Sequence, residues 1–238
     1  MFKNKKRVLR CIVSIFVLFV LIPLVIWLGV WLFEDRKYNV ISVAVALLSC
    51  VPFFIRFERG KNSARELVVI AVMSAFSVIG RLVFAPVPAF KPVTAITIIS
   101  GIALGPESGF IVGSATAIVS NVFYGQGPWT PFQMLVWGLI GFLSGAVFRK
   151  TEKPNLILLS AFGVIGGVVF SLLMDVWATL SIDGEFLMSR YLANVASSLP
   201  FMAIYAVSNV VFLLILAKPF LEKLGRIKKK YGIFENKV

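Results

Sequence analysis

Two ionisable side chains stand inside long apolar segments of this sequence. Arg81 lies near the end of the apolar run that begins at Arg65, and Asp175 lies about twenty residues into a later one. A charge inside such a segment is costly and often marks a binding or transport site. Both charges lie toward the same end of their segments. Ligand contact, a structural ion pair and a helix end from which the side chain reaches water all remain open.

The most distinctive polar stretch is the run Asn121 to Pro131, NVFYGQGPWTP. Its glycines permit positive φ, and its prolines fix the turn and start the next helix. Amide and aromatic groups on a rigid turn can orient a large, polar, partly planar ligand, although Trp and Tyr also gather at membrane interfaces. We predict ligand contact for nine residues: Arg81, Asn121, Tyr124, Gln126, Trp129, Gln133, Trp137, Asp175 and Trp177.

Several kinds of chemistry are excluded. The chain has no histidine, which removes His-based zinc sites and Ser-His or Cys-His nucleophiles. No P-loop motif occurs, so the chain cannot hydrolyse ATP by that route. Cys11 and Cys50 lie in or beside apolar runs without metal-binding spacing. We therefore predict no catalytic residue, no metal site and no cofactor.

The composition indicates a membrane protein. Hydrophobic residues make up 59% of the 238 residues, charged residues only 15%, and the mean hydropathy is +0.93. Soluble chains average about 45–50% apolar and 25% charged residues. The formal charge of +13 sits between apolar runs, so it indicates topology in a lipid bilayer rather than nucleic-acid binding.

The apolar runs predict an all-α multi-pass protein in three parts. Residues 1–62 form a transmembrane hairpin and a basic linker, residues 63–218 a six-helix substrate-binding domain, and residues 219–238 a basic cytoplasmic tail. Within the main domain the segments are predicted at 65–84, 92–104, 107–123, 131–148, 156–180 and 193–217. The second and third are short for full spans, so we expect tilt, kinks or partial insertion.

The basic residues predict the orientation. With the N-terminus inside, nineteen of the 24 lysines and arginines fall in cytoplasmic segments. This asymmetry follows the positive-inside rule and places both termini in the cytoplasm.

Three functional classes are weighed. A substrate-binding transporter subunit is favoured by polar and aromatic groups at the outer end of the bundle. An enzyme acting on lipid or peptidoglycan precursors would show convergent carboxylates, His or Ser near one membrane face. A stand-alone secondary transporter or channel would show mid-membrane ionisable groups or inverted repeats.

The main body resembles the S components of energy-coupling factor (ECF) transporters. The resemblance rests on six apolar segments, on Ala71 and Ala75 four residues apart, and on the glycine-rich run Gly101 to Gly113. The run Gly125 to Pro131 loosely resembles the subset linked to cobalamin or related corrinoids. Glycines at four-residue intervals are also predicted to pack helices internally.

The resemblance implies a function and partners. Such subunits capture a vitamin at the outer face of the bacterial cell membrane and associate with a coupling membrane protein and two ABC ATPases. They then topple in the membrane to release the vitamin inside. Ala71 and Ala75 match the alanine motif that contacts the coupling protein. The ligand is left open among cobalamin, a flavin, queuosine precursors and other heteroaromatic vitamins, with cobalamin the first choice.

Overall fold

The computed structural model describes residues 64–149, 154–183 and 186–234, with positions 12, 16, 20–24, 44, 48 and 51. Across the three long ranges the chain forms six helices, and no strand occurs there. They are α1 (Ala64–Val83), α2 (Val93–Leu104), α3 (Pro106–Tyr124), α4 (Trp129–Val147), α5 (Leu156–Asp183) and α6 (Met188–Tyr231). The predicted all-α fold is confirmed. Most of the predicted N-terminal hairpin and its linker lie outside the described residues.

Four of the described helices, α1, α4, α5 and α6, are long and apolar enough to cross a membrane. Many of their outward side chains are large and apolar, such as Ile157 on α5, which is 80% exposed. In water this surface would be unfavourable, whereas lipid tails solvate it at no cost. The chain is therefore a multi-pass membrane protein.

The short second segment becomes the central helix. α2 has twelve residues, about 18 Å at 1.5 Å per residue, which is too short to span a bilayer core of about 30 Å. All twelve residues are buried, because the other five helices pack around α2.

Glycines set the closest helix contacts, as predicted from their spacing. A Cβ atom added at Gly109 of α3 would overlap the backbone of Gly141 on α4, and one added at Gly113 would overlap the backbone at Trp137. α2 and α3 are joined at Gly105, whose φ of +96° suits glycine. The closely packed helices α3 and α4 both contribute residues to the site described below.

The last helix is longer than the predicted segment 193–217. α6 runs for 44 residues, through Pro200 and Pro219, and ends at an αL glycine, Gly232. The chain then turns back, burying Ile233 and Phe234, and the Phe234 N–H donates to Glu66 Oε1 at 2.9 Å. Much of the segment predicted as a tail is thus helical, and its end contacts the start of α1 at Glu66.

Four of the described N-terminal positions belong to a small apolar cluster with α3 and α4. Ile22 is fully buried and packs with Phe110 and Phe142, and Leu21, Leu48, Val51 and Leu135 surround this small cluster.

Candidate ligand-binding site

Arg81 anchors a polar network in the last turn of α1. It is only 9% exposed, and its Nη1 donates to Ser120 Oγ and, at 2.8 Å, to Asn121 Oδ1 on α3. Tyr124 donates its hydroxyl to the Arg81 carbonyl at 2.7 Å. Close contact between Gly80 and Pro92 fixes this end of α1 against the entry to α2. The guanidinium is held by neutral acceptors.

Asn121 connects the Arg81 network to α4 through hydrogen bonds. It is fully buried, and its Nδ2 donates to Thr130 Oγ1 at 2.8 Å and to Gln133 Oε1 at 2.9 Å. Thr130 in turn donates to Gln126 Oε1 at 3.0 Å, and Gln126 Nε2 donates to the Ile118 carbonyl. The structure thus joins three predicted amides, although Gln126 uses its side chain to hold the α3–α4 turn.

Aromatic rings surround Arg81 and continue into the bundle. The guanidinium carbon lies 4.5 Å from the Tyr124 ring centroid and 5.0 Å from that of Trp137, distances at which cation–π attraction operates. Trp137 stacks on Phe170 of α5 with centroids 5.2 Å apart and planes 13° apart. Phe170 meets the edge of Tyr205 on α6 at 5.0 Å. Together with the Arg81 guanidinium, the rings form a continuous wall of contacts from α1 to α6.

This wall borders a cavity of about 240 Å³ between α4, α5 and α6. Its lining combines apolar or aromatic surface with carboxylate, amide and hydroxyl groups: Gln133, Phe170, Ser171, Met174, Asp175, Ser198, Phe201 and Tyr205. Flat apolar walls and a few convergent polar groups are the usual composition of a small-molecule site.

Asp175 faces this cavity from α5 and does not pair with Arg81. Its Oδ2 accepts a hydrogen bond from Ser198 Oγ on α6 at 2.6 Å. Ser171 also donates to Ser198 Oγ, at 3.3 Å. The ion pair considered from the sequence is absent because Arg81 turns toward α3, where Ser120 and Asn121 supply its acceptors.

Two tryptophans meet at the rim of the cavity, at the start of α4. Trp129 starts α4 and lies edge-on to Trp177 of α5, with centroids 6.0 Å apart. The Trp177 indole N–H is buried and has no hydrogen-bond partner in the described structure. Both are predicted site residues, and the structure places them beside each other. Trp177 follows Asp175 by two residues on α5, and Trp129 precedes Gln133 by four residues on α4.

Lys91 adds a second positive charge in the connection between α1 and α2. Its backbone N–H donates to Ser208 Oγ at 2.9 Å, and its Nζ lies 5.5 Å from the Tyr124 ring centroid. Burial lowers the pKa of Lys91, and the neighbouring charge of Arg81 lowers this pKa further. The site is thus positive at its α1–α3 side and acidic at Asp175.

Sequence reasoning missed most of the α5–α6 wall. The unpredicted cavity residues are Phe170, Ser171, Met174, Ser198, Phe201 and Tyr205. Ser171 carried a usable signal, because it is four residues before Asp175 and therefore shares its helix face. The α6 residues had no such marker, since only tertiary packing brings them to α5.

Ala71 and Ala75 lie elsewhere, on the outward face of α1. Both are exposed and flanked by exposed Val68, Val72 and Phe76. An outward, small-residue surface is open to a partner helix.

Comparison with known proteins identifies the family. The family model for the S component of ECF-type riboflavin transporters matches residues 61–226. The chain belongs to this family. S components are substrate-binding subunits of transporters and not enzymes, so the predicted family and the absence of enzymatic function are confirmed.

Curated relatives are similar over part of the chain. A UPF0397 protein of Aliivibrio fischeri strain MJ11 is 29% identical over 130 residues, covering 48% of this chain and 70% of the relative. A UPF0397 protein of Vibrio atlanticus strain LGP32 is 35% identical over 96 residues, covering 38% of this chain and 52% of the relative. No solved structure matches.

Proposed function

We propose that this S component binds a vitamin with a flat heteroaromatic ring, riboflavin first, at the outer face of the bacterial cell membrane. It delivers the vitamin inward together with an ECF coupling protein and two ABC ATPases. The observation that carries the proposal is the cavity between α4, α5 and α6, with Phe170 and Tyr205 on its wall and Gln133 and Asp175 among its polar groups.

Size favours a flavin over a corrinoid. Small-molecule sites measure about 300–1,000 Å³, and this cavity, about 240 Å³, lies just below that range. It suits a planar ring whose polar side chain extends toward the rim at Trp129 and Trp177. A corrinoid macrocycle with its nucleotide loop is far larger. The loose resemblance of the run Gly125 to Pro131 to cobalamin-binding subunits is outweighed by this volume.

The orientation is part of the proposal. Both termini lie in the cytoplasm, which puts the α3–α4 turn and the rim outside, where a vitamin arrives. The charge asymmetry supports this arrangement. A single cysteine at position 237, in a chain with Cys11 and Cys50 replaced by Ala, should resist membrane-impermeant maleimide in intact cells.

Purification tests the ligand. The protein is extracted from cells grown in rich medium, and bound small molecules are identified by absorbance and mass spectrometry. Thermal unfolding is then measured with riboflavin, thiamine and cobalamin. We expect a flavin spectrum and a shift with riboflavin alone. A bound corrinoid, or a shift with cobalamin only, would contradict the flavin assignment, and no shift with any vitamin would contradict the binding role.

A matched pair of variants ties binding to the cavity. Phe170→Leu removes a ring that lines the cavity, and Phe162→Leu removes a ring of the same helix that instead contacts Phe148. We expect riboflavin affinity to fall about two- to tenfold in Phe170→Leu, because stacking between aromatic groups contributes about 0.5–1.5 kcal/mol beyond the buried area. Phe162→Leu should retain the wild-type affinity. Equal affinity in both variants would place the ligand elsewhere.

A further inference from the structure

We infer that the polar end of the cavity recognises a ring edge carrying an N–H donor beside a carbonyl acceptor. Asp175 accepts the hydrogen bond from the ligand N–H, and Gln133 donates to the ligand carbonyl. This inference rests on the proposed function and specifies which edge of the ligand enters the bundle.

The orientation of Gln133 follows from Arg81. A guanidinium has donors only, so Asn121 must turn its oxygen toward Arg81 and its NH₂ group away. That NH₂ group donates to Gln133, which must therefore present its own oxygen to Asn121. The Gln133 NH₂ group is left as a donor, and within the described residues no protein acceptor takes it. Since Gln133 lines the cavity, this donor is available to a ligand.

Asp175 supplies the complementary acceptor. Ser198 donates to its Oδ2, and within the described ranges its Oδ1 accepts no hydrogen bond. An ionised carboxylate is an acceptor only. A ligand that fills the cavity must therefore offer a donor to Asp175, because a buried acceptor left without one is costly.

The Gln133 donor and the Asp175 acceptor together favour a ligand with a lactam or imide edge. Such an edge places an N–H beside a C=O in the plane of the ring, so a ring that enters edge-first, with its faces against aromatic side chains, offers a partner to each of the two protein groups. A phosphate or carboxylate could accept from Gln133 but would bring a negative charge toward Asp175, and like charges repel in a low-dielectric site. Arg81 is the positioning residue of this arrangement, since it acts on the ligand only through Asn121 and Gln133.

The test compares riboflavin with its N3-methyl derivative, in which the imide N–H is replaced. Binding to the full-length protein in detergent is followed by quenching of flavin fluorescence. We expect the wild-type protein to prefer riboflavin on the order of 10- to 100-fold, as for loss of a hydrogen bond to a charged group. Asp175→Asn, which removes the charge and replaces one carboxylate oxygen by an NH₂ donor, should weaken riboflavin binding and reduce the preference to less than about threefold.

A second pair of variants tests the role of Asp175 without changing Asp175 itself. Ser198→Ala removes the hydroxyl that orients Asp175 and should weaken riboflavin binding, whereas Ser197→Ala removes an exposed neighbour that donates only to the Ala193 carbonyl and should have no effect. Equal wild-type affinity for both flavins would overturn the inference and leave the proposed function standing. An unchanged preference in Asp175→Asn would also overturn it, since the methyl group would then be excluded by shape alone. Failure of riboflavin to bind the wild-type protein would overturn both.

Discussion

Replacing Asn121 by Leu should damage stability and ligand affinity together. Asn121 is fully buried and links three side chains, with hydrogen bonds of 2.8 Å from Arg81, 2.8 Å to Thr130 and 2.9 Å to Gln133. Leu has a similar size but no polar atom. The substitution therefore removes the hydrogen bonds with little change in packed volume.

The expected loss of stability is about 3–5 kcal/mol. Hydrogen bonds between membrane helices contribute about 0.6 kcal/mol on average, so three contribute about 2 kcal/mol. Removing an acceptor from the buried guanidinium of Arg81 adds about 1–3 kcal/mol. Gln133 is also freed to rotate, and we expect riboflavin affinity to fall about tenfold because the ligand must then fix this side chain itself.

Asn209→Leu is the matched control. Asn209 is also buried, at 2% exposure, but within the described residues its side chain makes a single hydrogen bond, from Nδ2 to the Gly163 carbonyl at 2.9 Å, on the α5–α6 interface away from the cavity. Its loss should cost about 1 kcal/mol and leave affinity unchanged. The assays are thermal unfolding in detergent and flavin fluorescence titration of both variants. Equal destabilisation with unchanged affinity in both would refute the view that the Arg81 network organises the site.

Three further predictions concern the rest of the fold. Gly141→Leu should prevent normal packing of α3 on α4, because even a Cβ atom would overlap the α3 backbone, and folded yield measured by size-exclusion chromatography should fall sharply. Deleting residues 233–238 removes two buried side chains and should lower stability by about 2–4 kcal/mol in thermal unfolding. Ala75→Trp should block co-purification with the coupling protein while the isolated subunit still binds its vitamin, because the outward face of α1 would lose its close-packing surface.

Each of these has a control in the same chain. Gly225→Leu has open space around it and should fold normally. Deleting residues 235–238 spares the buried pair and should leave the melting temperature unchanged. Ile157→Trp places the same bulk at a position on α5 that is 80% exposed and should leave co-purification intact. If a control variant and its test variant give the same folded yield, melting temperature or co-purification, the contact removed in the test variant does not have the role assigned to it.

The membrane class could be read from the sequence, and of the nine residues predicted to contact a ligand, Gln133 and Asp175 line the cavity. Long apolar runs have one stable solution in a bilayer, the helix, since its backbone hydrogen bonds are satisfied within the segment. The spacing of Gly109 and its neighbours predicted close packing, and the structure shows it. Arg81 and Asp175 stood out because a charge in an apolar run is costly wherever the neighbouring helices lie.

The partners of those charges were decided by tertiary structure. Equal depth in the membrane allowed Arg81 to meet Asp175, but depth does not specify the direction in which a helix presents a side chain. The packing of α3 on α1 gives Arg81 its acceptors, and the packing of α5 on α6 gives Asp175 its hydroxyl from Ser198.

The end of α6 shows the same limit. The apolar segment was predicted to end at residue 217, yet the helix passes Pro219 and continues to Tyr231. A proline removes one backbone hydrogen bond, whereas the following turns bury Leu224 and lead to the buried Phe234, whose N–H is held by Glu66.

Sequence determined which segments enter the membrane, because that depends on the composition of each segment alone. Only tertiary structure decided which side chains meet, because that depends on rotations and contacts between helices distant in the chain.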